Sequence, residues 1–220
     1  MTNFSFAQAR KTMVENQLRP NKVKARDLLE RFISVPREEF ADSTFQHQAY
    51  TDTLLPMAEK RFMFAPMTLA RILQNLELSQ KENVLIVAGG TGYTAAIISP
   101  LVQRVTLVEE DGYLLDVAKK EILERGLANV EFKHDKPELG APENSPYDCI
   151  IFDAAIEEIP EKILHQLKDG GKIGAVFTHN NQVKHATIFT KSGKTVFSEE
   201  LFETKAHVLN NFKKEERFVF

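Results

Sequence analysis

The chain has 220 residues, 43% of them apolar, and a formal net charge of −3 at pH 7. That length fits one globular domain with a substantial core, and the charge argues against a dedicated nucleic-acid-binding protein. The apolar runs are too short for a membrane span, and the first residues lack the features of a signal peptide. The single cysteine, Cys149, excludes an internal disulfide framework, so we expect a cytoplasmic protein with Cys149 in its core.

The first eighty residues predict helices and irregular structure. Apolar residues at helical spacing indicate helices over about 6–18 and 23–34. The stretch "AYTDTLLPMAEKRFMF" (49–64) has no helical period, which predicts a loop with short extended pieces. Pro66 then opens the helical pattern "PMTLARILQNLEL". We interpret 1–80 as a helical N-terminal extension that includes a substrate-side loop.

From residue 83 onward, strand and helix patterns alternate. The candidate strands are apolar throughout, which is typical of a parallel sheet covered on both faces; they are 84–88, 104–109, 129–133, 148–153 and 172–177. The helices between them fall at about 92–99, 112–125 and 158–168. Residues 186–202 predict an antiparallel hairpin around "KSGK", and the final "ERFVF" predicts an edge strand. The fold class is therefore α/β, a Rossmann-like and mostly parallel sheet with an antiparallel C-terminal hairpin, in one compact domain overall.

The segment "NVLIVAGGTGYTAAI" (83–97) predicts a glycine-rich turn between a strand and a helix. Such a turn presents backbone N–H groups to a ligand's polar group and allows close approach. By itself it does not identify the ligand. From Gly90, "GTGYTA" satisfies the dinucleotide pattern, and Glu109 and Glu110 follow about twenty residues later.

Three features favour S-adenosyl-L-methionine over a dinucleotide. The C-terminal hairpin follows the fifth parallel strand, where a dinucleotide domain would add another strand–helix unit. Asp135 follows the third strand, where a carboxylate can accept from an adenine amino group. Asp153 ends the fourth strand, and a helix and Gly-Gly follow it. We expect the loop, Glu109, Asp135 and Asp153 to converge over the carboxyl ends of the strands.

Several motifs resemble the protein-L-isoaspartate O-methyltransferase family. They are "MVENQLRP", "VPREEF", "AYTDTLLP", the glycine loop, "YDCIIFDAA", "IPEKILHQLKDGGKI" and the terminal "RFVF", in order from about residue 10 to 220. The resemblance implies a protein-repair enzyme that uses S-adenosyl-L-methionine to methylate the carboxylate of isoaspartyl residues in damaged proteins, with 81–220 as its methyltransferase core. It implies contacts of Ala88, Gly90 and Gly92 with the methionine moiety, Glu109 with the ribose hydroxyls and Asp135 with the adenine.

The predicted cofactor-binding set joins the resemblance to the position of the loop and the strand ends. It consists of Ala88, Gly89, Gly90, Gly92, Tyr93, Glu109, Glu110, Asp135 and Asp153. The six histidines show no metal-ligand spacing, so no metal is predicted. Beyond an isoaspartyl protein or peptide substrate, we expect no nucleic-acid or membrane partner, and the sequence does not indicate the oligomeric state.

The sequence departs from the family in the glycine loop. The family has a loop similar to "EIGTGSGY", whereas this chain has Ile86 at the acidic position and Ala88 at the first glycine. The family's acid helps to hold the cofactor's ammonium group. Losing one charge-assisted hydrogen bond would cost about 1.5–3 kcal/mol if nothing compensates for it.

A second departure follows "LP". The family stretch similar to "IGHGQTISQP" reads "MAEKRFMFAP" here, so its serine, which lies at the reacting carboxylate, corresponds to Phe64. No catalytic residue is predicted; Thr51, Thr53 or Thr68 are candidates to replace the hydroxyl. The predicted substrate-side residues are Pro56, Arg61, Phe62, Phe64 and Thr68. Simple core packing of the aromatic patch is an equally good interpretation.

These departures leave three functional hypotheses. The first is methyl transfer to isoaspartyl carboxylates. The second is a divergent methyltransferase with a more apolar substrate, suggested by "RFMF". The third is a non-catalytic family member that acts as a binding module, motivated by Ile86 and Phe64.

Overall fold

The computed structural model describes residues 5–58, 60–179 and 183–214. Three N-terminal helices come first: α1 (Phe6–Met13), which continues into a wider π-type turn over Val14–Leu18, α2 (Arg26–Ser34) and α3 (Pro66–Leu76). The first predicted helix is thus confirmed over nearly its full length, and the helix opened by Pro66 is confirmed as well. No helix in these ranges combines the length and apolarity needed to cross a membrane.

The second helix begins three residues later than the sequence pattern predicts. Lys22 has a left-handed backbone (φ +67°), which reverses the chain after the first helix. The Gln74 side chain then donates to the Lys22 carbonyl (2.7 Å) and accepts from the Ala25 N–H (3.1 Å). These bonds hold residues 22–25 outside the helix and against α3, so the helix begins at Arg26.

Two short strands form a hairpin that is separate from the main sheet. Strand β1 (Leu55–Ala58) pairs antiparallel with β2 (Arg61–Met63). The prediction of short extended pieces within 49–64 is therefore confirmed. Because the hairpin lies outside the main sheet, its strands are held in place by side chains and by a few backbone bonds.

The main sheet has seven strands in the order β5-β4-β3-β6-β7-β8-β9. Its strands are β3 (Asn83–Val87), β4 (Arg104–Glu109), β5 (Val130–His134), β6 (Tyr147–Ile156), β7 (Leu167–Thr178), β8 (Lys184–Ser192) and β9 (Thr195–Thr204). The first five strands are parallel, and β7, β8 and β9 pair antiparallel. This confirms the predicted α/β fold with an antiparallel C-terminal hairpin.

Helices α4 (Tyr93–Ile98), α5 (Gly112–Glu124) and α6 (Glu161–Gln166) connect the parallel strands. Asp111, directly before the helix, caps α5 by accepting from the N–H groups of Tyr113 (2.9 Å) and Leu114 (3.1 Å). The prediction of a helix over 158–168 is too long at both ends. Pro160 is extended and stands at the N-cap, and Leu167 already begins β7.

Apolar residues on successive positions of β3 face opposite sides of the sheet. Ile86 belongs to the core that also contains Met13, Leu29 and Phe32 of the N-terminal helices, whereas Leu85 belongs to the core on the other face. The N-terminal segment therefore buries its apolar face directly on the sheet. Cys149 is buried, as predicted, and burial raises the pKa of its thiol. The predicted edge strand "ERFVF" lies outside the described residues.

Candidate cofactor site

The turn after β3 has three residues in the left-handed backbone region. Ala88 has φ +57°, Gly90 has φ +55° and Gly92 has φ +86°, and α4 begins directly after Gly92. Glycine adopts this conformation freely, whereas an L-residue such as alanine is destabilised there by about 1–2 kcal/mol. Ala88, at the family's glycine position, therefore holds a strained conformation that the loop keeps.

The three glycines of the turn have different neighbours. A Cβ added to Gly89 would lie 2.5 Å from Leu107, and one added to Gly92 would lie 3.0 Å from the Ala118 Cβ of α5. These two glycines allow the turn to pack against β4 and α5. A Cβ on Gly90 would instead meet the Met57 thioether, 2.8 Å from its Sδ. Gly90 is thus the position where the turn faces the β1–β2 hairpin.

Glu109, the last residue of β4, is completely buried beside this turn. Its Oε2 accepts from the Gly90 N–H (2.8 Å), and its Oε1 accepts from the Asp111 N–H (3.0 Å). The carboxylate therefore joins the glycine turn to the start of α5. A ligand seated on the turn would meet this carboxylate at the carboxyl end of the sheet, where open α/β folds bind their ligands.

Arg61 of β2 forms a bidentate ion pair with Glu109. Its Nη1 and Nη2 donate to the two carboxylate oxygens, each at 2.7 Å, and Nη2 also donates to the Ala88 carbonyl (3.1 Å). Burial by itself would lower the pKa of Arg61, but the hydrogen bonds and negative charge of Glu109 outweigh it, so the pKa is raised. The hairpin thus places a permanent positive charge directly on the glycine turn.

Asp153 lies on the neighbouring strand β6, in a stretch where its pairing with β7 is irregular. Its Oδ1 accepts from the Thr94 hydroxyl (2.8 Å), and α6 is capped by Pro160, so Asp153 does not cap that helix. Burial raises the pKa of Asp153 to about 7, against the opposing effects of the Thr94 hydrogen bond and the charges of Arg61 and Arg37. A carboxyl group of this kind gains free energy from any cation brought next to it.

A small internal cavity of about 10 Å³ lies beside Asp153, at the lower limit for one water molecule. It is lined by residues from the hairpin, the glycine turn and α3: Met57, Met63, Phe64, Leu69, Gly89, Tyr93, Thr94 and Asp153. Phe64, at the family's serine position, is 4% exposed and belongs to the main core. The packing interpretation of Phe64 therefore holds, and its ring also borders the Asp153 cavity.

Arg37 contacts two residues that line the same cavity. It is fully buried, donates to the Phe64 carbonyl (2.6 Å), and its guanidinium lies 4.9 Å from the centre of the Tyr93 ring. Burial lowers the pKa of Arg37. Sequence reasoning did not assign a role to Arg37, Thr94 or Met57, although "VPREEF" contains the first and the glycine segment contains the second.

The remaining predicted cofactor residues lie at the rim of the site. Glu109 pairs with His134 between β4 and β5, which places Asp135 just beyond the end of β5. Asp135 is exposed and accepts from the Lys136 N–H (2.7 Å). The Glu110 carboxylate accepts from the Asn211 amide (3.3 Å). Their assignment to the cofactor stays a prediction.

The remaining substrate-side candidates have other partners. Phe62 stacks on His207 (4.3 Å between ring centres), and the Pro56 carbonyl accepts from the Asp42 N–H (3.3 Å). The hydroxyls of Thr68 and Thr204 lie 2.7 Å apart, and those of Thr51 and Thr53 lie 2.9 Å apart at the surface. Within the described ranges, none of the three threonines proposed to replace the family's serine lines the Asp153 cavity, and no cluster of three metal-ligating side chains occurs.

The sheet order, the glycine turn at its switch point and the acidic residue ending the next strand define the class as a Rossmann-like methyltransferase fold. The sequence profile of protein-L-isoaspartate(D-aspartate) O-methyltransferase (PCMT) matches residues 8–209. A protein-L-isoaspartate O-methyltransferase of Geobacter metallireducens is 39% identical over 169 residues, 77% of this chain and 78% of that protein. One of Aliivibrio fischeri is 32% identical over 197 residues, 90% of this chain and 94% of that protein. The chain therefore belongs to the protein-L-isoaspartate O-methyltransferase family, as the sequence motifs predict.

Solved structures agree with this assignment. A protein-L-isoaspartate O-methyltransferase superposes with a TM-score of 0.80 at 26% identity, covering 92% of this chain and 67% of that one. A Plasmodium falciparum structure of the same type, in complex with S-adenosyl-L-homocysteine, has a TM-score of 0.76 at 18% identity and covers 92% and 98% of the two chains. At that identity, the second likeness shows the fold alone.

Proposed function

We propose that this protein transfers a methyl group from S-adenosyl-L-methionine to the free α-carboxylate of isoaspartyl residues in damaged proteins. Family membership supports the reaction. The observation that carries the proposal in the structure is the buried carboxylate of Glu109, which ends β4 and accepts from the Gly90 N–H of the glycine turn. The residue that would bind the ribose is thereby hydrogen-bonded to the loop that would hold the methionine moiety.

The chemistry of the residues around the turn fits this cofactor. Glu109 would accept from the ribose hydroxyls, Gly90 would allow close approach of the methionine moiety, and Asp135 at the rim would accept from the adenine amino group. When bound, the cofactor supplies an electrophilic methyl group on a sulfonium. Arg61 and Met57 now fill the space over Gly90 and Glu109.

Asp153 compensates for the acid that β3 lacks. Ile86 is completely buried in the core that joins the sheet to the N-terminal helices, so it cannot meet the ammonium group. The Asp153 carboxyl borders the same cavity as Gly89, one strand away. An ammonium group there would favour the ionised carboxylate and reverse the rise in its pKa.

The acceptor carboxylate is ionised at neutral pH, so the transfer needs no general base. The protein's contribution is to align the acceptor with the methyl group and to exclude water. Residues 1–80, with the hairpin and Phe64, would form the substrate side of the site over the 81–220 core. The buried, unpaired Cys149 is consistent with a reducing compartment such as the cytoplasm.

Calorimetric titration with S-adenosyl-L-homocysteine, followed by a transfer assay, tests this function. The assay compares an isoaspartyl peptide with the same peptide carrying a normal aspartyl residue. We expect binding, and methyl ester formation on the isoaspartyl peptide only. Binding without transfer to that peptide would overturn the acceptor assignment, and absence of binding at millimolar ligand would overturn the cofactor assignment as well.

The Asp153 assignment has its own readout. Because an ammonium group would ionise a carboxyl of pKa about 7, cofactor binding near that pH should release a proton. Titrations in buffers of different ionisation enthalpy measure this proton. Asp153→Asn should abolish the release, and an unchanged proton release in the variant would refute the role of Asp153.

A further inference from the structure

Two side chains of the β1–β2 hairpin lie on the residues that would hold the cofactor. The Met57 thioether fills the space over Gly90 and accepts from the Thr91 hydroxyl (3.3 Å). The Arg61 guanidinium lies on Glu109, with a side chain only 11% exposed. The hairpin therefore covers both the methionine end and the ribose end of the predicted site.

The Glu109 carboxylate has no acceptor position left for a ribose. A carboxylate offers about four lone-pair sites, and four N–H groups already donate to this one. They come from the backbone of Gly90 and Asp111 and from the two Nη atoms of Arg61. The backbone donors belong to the turn and to the start of α5, so only the arginine can leave while the fold stays intact.

Among the described residues, few backbone hydrogen bonds join the hairpin to the rest of the protein. It is not part of the seven-stranded sheet. Besides those of Arg61 and Met57, the contacts of its described residues include the bond from the Asp42 N–H to the Pro56 carbonyl, the stacking of Phe62 on His207 and the packing of Leu55 and Met63 in the main core. The sheet and the glycine turn would keep their own hydrogen bonds if β1 and β2 moved away.

We propose that Arg61 competes with the cofactor's ribose for Glu109, so that the β1–β2 hairpin gates the cofactor site. This rests on the proposed function only in that the ligand is the same cofactor. The protein binds the cofactor only after Arg61 has left Glu109 and Met57 has left Gly90. The apparent affinity of the wild-type protein is then the intrinsic affinity reduced by the fraction of molecules with the hairpin open.

The test is the dissociation constant of S-adenosyl-L-homocysteine, measured by calorimetry for the wild type and for Arg61→Gln. Glutamine keeps one donor for Glu109 but loses the charge and the bidentate geometry. We expect at least tenfold tighter binding to the variant. The matched control is Arg71→Gln, which removes the same charge from α3, where the guanidinium lies 3.9 Å from the Phe202 ring centre; its affinity should equal that of the wild type.

The outcomes separate the gate from the function. If the wild type binds and Arg61→Gln binds no tighter, the gate is refuted while the cofactor assignment stands. If neither protein binds at millimolar ligand, both are refuted. If both variants bind more tightly by the same factor, the effect is one of net charge, and the gate is again refuted.

Hydrogen exchange on the wild-type protein gives a second test that needs no variant. The gate predicts that the amides of Leu55, Met57, Ala58 and Arg61–Met63 exchange faster when S-adenosyl-L-homocysteine is bound, while those of Asn83–Val87 are protected. A hairpin that only covers a bound cofactor would instead become protected together with β3. Slower exchange in the hairpin would therefore refute the proposal, even if the arginine variants failed to fold.

Discussion

Replacing Glu109 by glutamine tests the ion pair that organises the site. The substitution keeps the size of the side chain but removes the charge that compensates buried Arg61. Removing one partner of a buried ion pair typically costs about 3–5 kcal/mol, because the other charge stays buried. Counting the lost hydrogen bonds gives a similar value. In glutamine an NH₂ group replaces one carboxylate oxygen, so two of the four N–H donors lose their acceptor. Each lost hydrogen bond that involves a charged group costs about 1.5–3 kcal/mol.

A loss of this size is a large part of the total stability of a domain, which is about 5–15 kcal/mol. Urea denaturation of the wild type and Glu109→Gln, monitored by circular dichroism at pH 7, measures this loss. It should appear as a shift in the denaturation midpoint with an unchanged dependence of the free energy of unfolding on urea concentration. The matched control is Glu131→Gln on β5, whose carboxylate is 36% exposed and pairs with Lys133 (2.9 Å). Because surface pairs contribute little, the control should lose less than about 1 kcal/mol.

The double variant Glu109→Gln/Arg61→Gln completes the cycle. With no unpaired charge left in the site, it should be more stable than Glu109→Gln, with a coupling free energy of about 2 kcal/mol or more between the two positions. If the free energy of unfolding of Glu109→Gln lies within about 1 kcal/mol of the wild-type value, Arg61 does not hold Glu109 in the folded protein. The same conclusion follows if the effects of the two substitutions on that free energy are additive. The argument for a gate would then lose its basis.

Three further predictions concern single positions. The pKa of Asp153 is about 7 in the folded protein, against an ordinary value of 3.8. Its contribution to stability is therefore fully present below pH 4 and is lost as the pH rises through 7. The shift corresponds to about 4 kcal/mol for a carboxyl fully shielded from water, and we halve this value because the residue is partly exposed. The free energy of unfolding in urea should therefore change between pH 4 and 8 by about 2 kcal/mol less in Asp153→Asn than in the wild type. The same pH dependence in both proteins would contradict the assignment. Ala88→Gly should stabilise the protein by about 0.5 kcal/mol, since relief of the left-handed strain exceeds the extra entropy of an unfolded glycine, and a lower melting temperature would be inconsistent with it. Cys149 is buried and its thiol has a raised pKa, so it should react with a thiol reagent only after the protein is unfolded in urea. Immediate reaction of the native protein on mixing with the reagent would show that the strand is open.

Much of the architecture was predictable because its signals are local. Apolar strands alternating with helices predict the parallel sheet, and the Asp111 cap and the glycine turn mark where α5 and α4 begin. The element boundaries that failed depend on distant groups. The late start of α2, for example, is set by Gln74, which is about fifty residues away along the chain.

The sequence by itself determined the family, the order of the strands along the chain and the candidate acids at their carboxyl ends, because periodicity and short motifs encode them. Only the tertiary structure decided that Arg61 rather than solvent faces Glu109, 48 residues away, and that Asp153 is held by Thr94, 59 residues away. Burial and ion pairing depend on distances between segments that the chain brings together only when it folds. The same reason explains why Arg61, which the sequence predicts on the substrate side, lies on Glu109, which the sequence predicts as a cofactor-binding residue.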